Sequence, residues 1–407
     1  ENAQKGRIRL IKQDRETEGK PSGEGALKGA VYELRDSLGN LADTLTTDDS
    51  GEAQSKELPL GTYTVKETLP SVGYVKDSKT YTVTLSAKSG NGSALYEEVV
   101  SKETPQKGII LLEKSDTDTG TSASQGEGSL KGAVYIVKNS KDETVVTLTT
   151  AEDGKAQSKE LPLGTYTVKE TKAAPGYLLD KTSYTVKFTS ENRTSTVFYK
   201  TVKSEETIIR GGVSVEKWDS EKEKREPQGS ASLKGAQIQI LSKNSNSITV
   251  EGKTYKEGDV ITTLTTDETG KAKTAADYLP YGDYQLKEVK PPAGYLASGV
   301  LTRSFSIREN GKMVEMNTSG TAVKNQVIRG GVSVEKWDSE KNKREAQGAA
   351  TLEGTQIQIL SRNSNSILVG GKTYQEGEVI ATLTTDKEGK AKTSSDYLPY
   401  GNYQLKE

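Results

Sequence analysis

Four lysines and four glutamates recur along the chain on strand faces that otherwise carry apolar residues. Each lysine ends a short strand pattern of alternating apolar residues, and each glutamate shares the apolar face of another such strand. An ionised group on a core-facing position is costly unless it is paired. The alternation therefore predicts that a lysine and a glutamate meet inside each repeat. The pairs are Lys12 with Glu67, Lys114 with Glu170, Lys217 with Glu288, and Lys336 with Glu407.

The third copy adds a carboxamide to this pair. Its segment TAVKNQV places Val323 and Asn325 on one face, so an amide enters the same interior if the last strand pairs beside the first. In a dry pocket, desolvation lowers the pKa of a lysine toward a neutral amine and raises the pKa of a glutamate. A protonated glutamate can then polarise the amide carbonyl and shuttle protons while ammonia leaves, which yields a Lys to Asn amide. The same residues also allow a buried Lys to Glu ion pair with the Asn merely hydrogen-bonded.

Repeated strand patterns carry these groups. The segment LPLGTYTVKET at residues 58–68 returns at 161–171, and related segments occupy 279–289 and 398–407. The lysines are spaced by 102, 103 and 119 residues, so two shorter repeats precede two longer ones. The repeats predict the tail of a preceding domain at 1–6, domains at 7–105, 106–208 and 209–328, and a domain at 329–407 that is incomplete at its C-terminal end.

Each repeat reads as roughly seven short strands separated by turn residues, without a helical period. In the first repeat the predicted strands are residues 7–12, 31–35, 43–47, 53–57, 62–68, 80–85 and 94–100, and the Leu-Pro and Gly of residues 58–61 are interpreted as a turn. This pattern predicts an all-β protein made of β-sandwiches. The longer repeats gain residues 244–260 and 363–379, which resemble an added hairpin with polar turns. The junctions between repeats are short, and this favours a stiff rod over a flexible string.

The composition excludes most enzyme chemistry and several classes of partner. The 407 residues contain no Cys and no His, which removes disulfides, Cys nucleophiles, His-based triads and nearly all zinc chemistry. The 56 basic and 57 acidic side chains leave almost no net charge, so we predict no binding to nucleic acid and no membrane contact. The acidic Gly-containing turns at Asp48 and Asp116 suggest calcium loops, but their ligand spacing is incomplete. We therefore expect no metal and no cofactor.

Several motifs recur in order through the chain. They are the lysine strand with a following Asp, LKGA from Leu27, Leu130 and Leu233, LPxGxYxxKE, PxGY at Pro175 and Pro292, and a closing VKN. Together they resemble the collagen-adhesin B-type (CnaB) domain of Gram-positive surface proteins and pilins. The resemblance implies tandem prealbumin-like Greek-key β-sandwiches with an autocatalytic intramolecular isopeptide bond. By motif, the cross-linked residues fall on Lys217 and Asn325, and the catalytic acid on Glu288.

The other repeats depart from this pattern. Where the family has its Asn, the first repeat offers Ser101 or Glu103 and the second offers Ser204 or Glu206, depending on the alignment. We therefore expect the first two repeats to be unbonded, with Lys to Glu ion pairs instead. The fourth repeat stops at its glutamate strand, which leaves its site incomplete, and the missing Asn is expected near position 444 of a longer parent chain.

These features predict a stalk or pilin-shaft segment of a Gram-positive cell-surface protein. The alternative is a set of adhesin modules that bind a host or matrix ligand, and an enzyme acting on an external substrate is disfavoured. The implied partners are neighbouring repeats and, through segments outside this sequence, the cell wall or other pilin subunits. The implied location is extracellular, with cell-wall anchoring through a segment not present here.

Overall fold

The computed structural model describes residues 4–87, 95–297 and 302–407. Every regular element in these residues is a β-strand. The chain divides into two compact units, one running through Ala123 and including Ser129–Glu206, the other formed by Ser124–Gly128 and Thr207–Glu407. In the described part of the chain, no helix is long and apolar enough to cross a membrane.

The first unit contains two repeats of eight strands each. The first repeat has β1 Lys5–Asp14, β2 Val31–Arg35, β3 Leu41–Thr46, β4 Glu52–Gln54, β5 Leu58–Pro59, β6 Gly61–Leu69, β7 Thr80–Leu85 and β8 Leu95–Glu103. The second has β9 Lys107–Asp116, β10 Val134–Asn139, β11 Thr144–Thr149, β12 Lys155–Gln157, β13 Leu161–Pro162, β14 Gly164–Lys172, β15 Ser183–Phe188 and β16 Val197–Glu206.

The second unit contains the two longer repeats. The third repeat has β17 Arg210–Asp219, β18 Gln237–Ser242, β19 Ile248–Val250, β20 Lys253–Tyr255, β21 Val260–Thr265, β22 Lys271–Lys273, β23 Leu279–Pro280, β24 Gly282–Lys290, β25 Thr302–Ile307, β26 Met313–Met316 and β27 Val323–Asn325. The fourth has β28 Arg329–Gly330, β29 Ser333–Glu335, β30 Gln356–Ser361, β31 Ile367–Val369, β32 Lys372–Tyr374, β33 Val379–Thr384, β34 Lys390–Lys392, β35 Leu398–Pro399 and β36 Tyr403–Lys406.

Two sheets face each other in each repeat of the first unit. In the first repeat one sheet has the order β4-β1-β5 with β8 beside β1, and the other has the order β3-β2-β6-β7. Side chains alternate along these strands, so one face of each sheet turns inward. Buried Ile8 and Leu10 from one sheet pack with Leu34 and Val65 from the other. The second repeat has the same two sheet orders.

The first and last strands of a repeat pair in parallel. Strand β1 pairs with β8 over nine residue positions, and β9 pairs with β16 over ten. In the third repeat this ladder is interrupted, because β17 pairs with β26 over four positions and then with β27 over three. Strand β27 therefore lies beside Lys217, near the end of β17.

The predicted hairpin is confirmed in both longer repeats. Strands β19 and β20 pair antiparallel within residues 244–260, and β31 and β32 do so within 363–379. Buried Ile248 and Val250 place the first of these hairpins against the core of the third repeat. In the described residues of the fourth repeat, β28 pairs with β35, β29 with β34, and β30 with both β33 and β36.

Within each unit a loop that contains a glycine packs against the following repeat. Gly23 has φ +56°, and a Cβ at this position would lie 2.2 Å from the carbonyl oxygen of Leu163. Gly229 has φ +59°, and a Cβ there would lie 2.3 Å from the carbonyl oxygen of Tyr400. The equivalent Gly348 has φ +56°, but its Cβ position is open. The left-handed backbone and the close approach both require glycine at the first two positions.

The strand pattern read from the sequence agrees closely with the structure, and the all-β prediction is confirmed. The predicted last strand of the first repeat begins at residue 94, which lies outside the described residues. So do residues 1–3 of the predicted tail at 1–6. The predicted domain limits remain predictions.

Candidate functional site

The lysine, glutamate and asparagine of the third repeat meet in its interior. Lys217 lies on β17, Glu288 on β24 of the facing sheet, and Asn325 at the end of β27. All three residues are buried, and Lys217 is 0% exposed. Alternation places Lys217 in line with the inward-facing Val215, and the register of β27 brings Asn325 opposite Asp219, two positions farther along β17.

Glu288 bridges the amine and the carboxamide. Its Oε1 lies 3.0 Å from Lys217 Nζ, and its Oε2 accepts a hydrogen bond of 2.7 Å from Asn325 Nδ2. Asn325 Nδ2 also donates to the carbonyl oxygen of Leu296, and Lys217 Nζ donates to that of Val323. One carboxyl group is therefore in contact with both groups that would exchange protons during amide transfer.

Burial changes the ionisation of the lysine. Desolvation lowers the pKa of Lys217 to about 8, although the Glu288 carboxylate acts in the opposite direction. An amine with this pKa is neutral in an appreciable fraction of molecules near pH 7, and the neutral form is the nucleophile.

The first repeat places two carboxyl groups around its lysine. Lys12 Nζ lies 3.4 Å from Glu67 Oε1 and 3.2 Å from Glu103 Oε2, with all three side chains fully buried. Asp14 on β1 is the register partner of Glu103, as Asp219 is of Asn325. The register therefore shows that Glu103, rather than Ser101, occupies the acceptor position.

The second repeat repeats this arrangement. Lys114 Nζ lies 2.6 Å from Glu170 Oε1 and 2.5 Å from Glu206 Oε1, and these side chains are also fully buried. Glu206 is the register partner of Asp116, so it takes the acceptor position and Ser204 precedes it by two residues. Desolvation raises the pKa of Glu170.

Hydroxyl groups that the strand pattern did not predict lie beside these acids. Tyr32 OH and Ser101 Oγ both donate to Glu103 Oε1, at 2.9 and 2.5 Å. In the second repeat the equivalent donors to Glu206 Oε1 are Tyr135 OH and Ser204 Oγ. The third repeat has Ile238 and Val323 at the corresponding places. The first two repeats have LKGAVY and Ser-x-Glu where the third has LKGAQI and Val-x-Asn. This paired difference is the sequence signal that could have revealed the hydroxyl groups.

In the fourth repeat only the lysine and the glutamate of the site meet. Lys336 Nζ lies 2.6 Å from Glu407 Oε1, but the two side chains are 32% and 59% exposed. This pair is therefore solvated, unlike its three counterparts. Among the residues described, no group of three or more Asp, Glu, Cys or His side chains is placed to hold a metal ion.

The chain matches the family described as SpaA, prealbumin-like fold domain, at four places. The matched residues are 6–98, 110–203, 212–321 and 332–407. The chain belongs to this family. Each SpaA-type match coincides with one of the repeats, so the tandem prealbumin-like fold predicted from the sequence is confirmed.

Two staphylococcal proteins align with most of this chain. Serine-aspartate repeat-containing protein D of Staphylococcus aureus (strain MW2) is 24% identical over 409 residues, covering 94% of this chain and 28% of that protein. Serine-aspartate repeat-containing protein F of Staphylococcus epidermidis is 25% identical over 417 residues, covering 93% of this chain and 22% of that protein. The chain thus spans less than a third of the length of these relatives. The solved structure of the Bacillus anthracis TIE protein matches 79% of this chain and 51% of its own, with a TM-score of 0.55 and 26% identity.

Proposed function

We propose that this chain is a stalk segment of a Gram-positive cell-surface protein, stiffened by a Lys217 to Asn325 isopeptide bond. The observation that carries the proposal is the contact of one buried carboxyl group, Glu288, with both the amine and the carboxamide. The tandem SpaA-type domains and the staphylococcal relatives support a structural role at the cell surface. Outside this self-reaction, we expect no enzymatic activity.

The reaction requires no external reagent. The neutral amine of Lys217 attacks Cγ of Asn325, and Glu288 takes up the amine proton through Oε1. Glu288 then delivers a proton to the departing nitrogen of Asn325, which its Oε2 already contacts. The Nζ to Cγ amide forms, the Cγ to Nδ2 bond breaks, and one ammonia leaves. The fold supplies the proximity that a separate enzyme would otherwise provide.

A bond at this place suits a stalk. Resistance to pulling depends on the rate of unfolding rather than on the equilibrium stability. A covalent tie between the first and last strands prevents tension from separating them. In this proposal the segments that anchor the protein, or that contact other subunits, belong to parts of a parent protein beyond this sequence.

Peptide mapping of the folded protein tests the bond. We expect a branched tryptic peptide that contains Lys217 and Asn325 and lacks the mass of one ammonia. Glu288→Ala should abolish this peptide while leaving the sandwich largely folded. Glu315→Ala, which removes an exposed carboxylate on the neighbouring β26, is the matched control and should leave the branched peptide unchanged. A linear Lys217 peptide in full yield from the unmodified protein would refute the proposal.

A further inference from the structure

The first two repeats each contain a closed site in which an amine faces two carboxyl groups. In the first repeat, Lys12, Glu67 and Glu103 are fully buried, and the Lys12 amine lies 3.4 Å from Glu67 and 3.2 Å from Glu103. With all three ionised, the site would hold one negative charge in excess, which a buried site disfavours. Desolvation raises the pKa of Glu67, and the neighbouring Glu103 charge raises it further. The site therefore favours the uptake of a proton.

The two oxygens of Glu103 have different surroundings. Oε1 accepts hydrogen bonds from Tyr32 OH and Ser101 Oγ, in the manner of a carbonyl oxygen held by donors. Oε2 accepts no hydrogen bond and lies 3.2 Å from Lys12 Nζ. Burial raises the pKa of Tyr32, so its hydroxyl remains protonated and available as a donor. Donors aimed at one carboxyl oxygen would stabilise the negative charge that develops there during attack on the carboxyl carbon.

The second repeat places the same hydroxyl donors on its acceptor. Glu206 Oε1 accepts hydrogen bonds from Tyr135 OH and Ser204 Oγ, and Glu206 Oε2 is buried without a hydrogen bond. The Lys114 amine lies 2.5 Å from Glu206 Oε1, whereas Lys12 in the first repeat contacts the other carboxyl oxygen. Two repeats with different surrounding sequences thus place an amine and two hydroxyl donors around one buried carboxyl group, which favours a shared chemical role for it.

We propose that Lys12 condenses with Glu103, and Lys114 with Glu206, to form Lys to Glu isopeptide bonds. The sequence alone predicted unbonded ion pairs in these repeats, whereas the register places a carboxyl group where the third repeat has its carboxamide. This inference rests on the proposed function in one respect, since it extends the same amine chemistry to an acid acceptor.

The condensation balances within the site. A proton first passes from the Lys12 ammonium to Oε2 of Glu103, which gives a neutral amine beside a protonated acid. The amine attacks Cδ of Glu103, whose Oε1 becomes the amide oxygen and keeps its two hydroxyl donors. Glu67 takes the second proton lost by the nitrogen and returns it to Oε2, which leaves as water when the Cδ to Oε2 bond breaks. An ammonium and a carboxylate are thereby replaced by a neutral amide and one water. The product carries fewer buried charges than the ion pair, and this favours the reaction because buried ion pairs are costly to desolvate.

The mass of the unmodified protein separates this inference from the proposed function. A Lys to Glu bond removes one water, whereas the Lys217 to Asn325 bond removes one ammonia. Loss of two waters and one ammonia is the result expected when both proposals hold. Loss of one ammonia alone would overturn the inference and leave the proposed function intact. Loss of two waters alone would support the inference and overturn the proposed function.

Variants of the first repeat identify the acceptor. Glu103→Ala should remove the branched peptide that joins Lys12 to β8, together with one lost water, while the second repeat still loses its own. Glu103→Gln should restore the branch with loss of ammonia instead of water. Glu98→Ala, an exposed glutamate on the same strand, is the matched control and should leave the branch in place. A linear Lys12 peptide in full yield from the unmodified protein would overturn the inference without reliance on any variant.

Discussion

Asn325→Ala separates a covalent tie from ordinary packing in the third repeat. The bond would close the chain from Lys217 to Asn325 into a loop of roughly one hundred residues, for which loop-closure entropy predicts a stabilisation of about 5 kcal/mol. The 2.7 Å hydrogen bonds that Asn325 Nδ2 donates to Glu288 and to the Leu296 carbonyl belong to the unbonded protein, because this nitrogen leaves as ammonia when the bond forms. We therefore expect Asn325→Ala to lower the free energy of unfolding of the bonded protein by about 5 kcal/mol.

The same substitution made in a Glu288→Gln background isolates the bond. We expect no bond to form without the Glu288 carboxyl group, so Asn325→Ala should there remove only the two hydrogen bonds of Nδ2, at about 1 kcal/mol each. The difference between the two costs is the coupling free energy of a double-mutant cycle and should be about 3 kcal/mol. The cycle also cancels the cost of leaving Lys217 without an ionised partner, because Lys217 lacks this partner both in the Glu288→Gln variant and in the double variant.

Urea unfolding followed by tryptophan fluorescence measures these costs in one repeat. The chain has two tryptophans, Trp218 in the third repeat and Trp337 in the fourth, so Trp337→Phe leaves Trp218 as the reporter. A loss of about 5 kcal/mol corresponds to a midpoint shift of roughly 2–3 M urea for a domain of this size. Equal costs in the two backgrounds would show that no bond contributes. Equal costs alongside a branched peptide in the unmodified protein would show that the loop-entropy argument is wrong.

Three further predictions concern rate, length and packing. Because the pKa of Lys217 is about 8, its neutral fraction is about a tenth at pH 7 and about a hundredth at pH 6. Protein refolded from urea-solubilised inclusion bodies should therefore form the bond about tenfold more slowly at pH 6 than at pH 7, with little further gain well above pH 8, as followed by mass after denaturing quench. Single-molecule pulling should release roughly 350 Å less contour length from the third repeat than from its Asn325→Ala variant, because the residues inside the loop carry no load. Gly229→Ala should destabilise the fourth repeat by roughly 1–3 kcal/mol more than Gly348→Ala in thermal unfolding, because only the first substitution meets the Tyr400 carbonyl.

The sequence predicted the strands well wherever turn residues bracket an alternating pattern. Val31–Arg35 and Thr80–Leu85 have the same limits in the pattern and in the structure. The pattern treated Leu58 and Pro59 as part of a turn, whereas they pair with the start of β1. Pro59 is tolerated there because a proline can occupy the edge of a sheet, where its missing N–H removes no ladder hydrogen bond.

The site was predicted in part, and the remainder depended on register. Alternation identified the buried lysines and glutamates because a period of two fixes the face on which a side chain lies. It could not choose between Ser101 and Glu103, because residues two apart share a face. The Tyr32 hydroxyl was missed for a different reason: a tyrosine on an inward face is an ordinary core residue until its neighbours are known.

The parallel pairing of the first and last strands determines how a repeat carries tension. In this arrangement the chain enters at one end of the strand pair and leaves at the other, so a pull slides the strands lengthwise in shear. All the hydrogen bonds of the ladder are then loaded at the same time, instead of breaking one after another from one end. Among the three such ladders in the described residues, that of the third repeat has the fewest paired positions, four and three, where the first has nine and the second ten in a row. The carboxamide acceptor thus occurs in the repeat, of these three, with the fewest ladder pairs to resist shear, and the proposed bond would transfer the load from one strand to the other beside the end of the interrupted ladder.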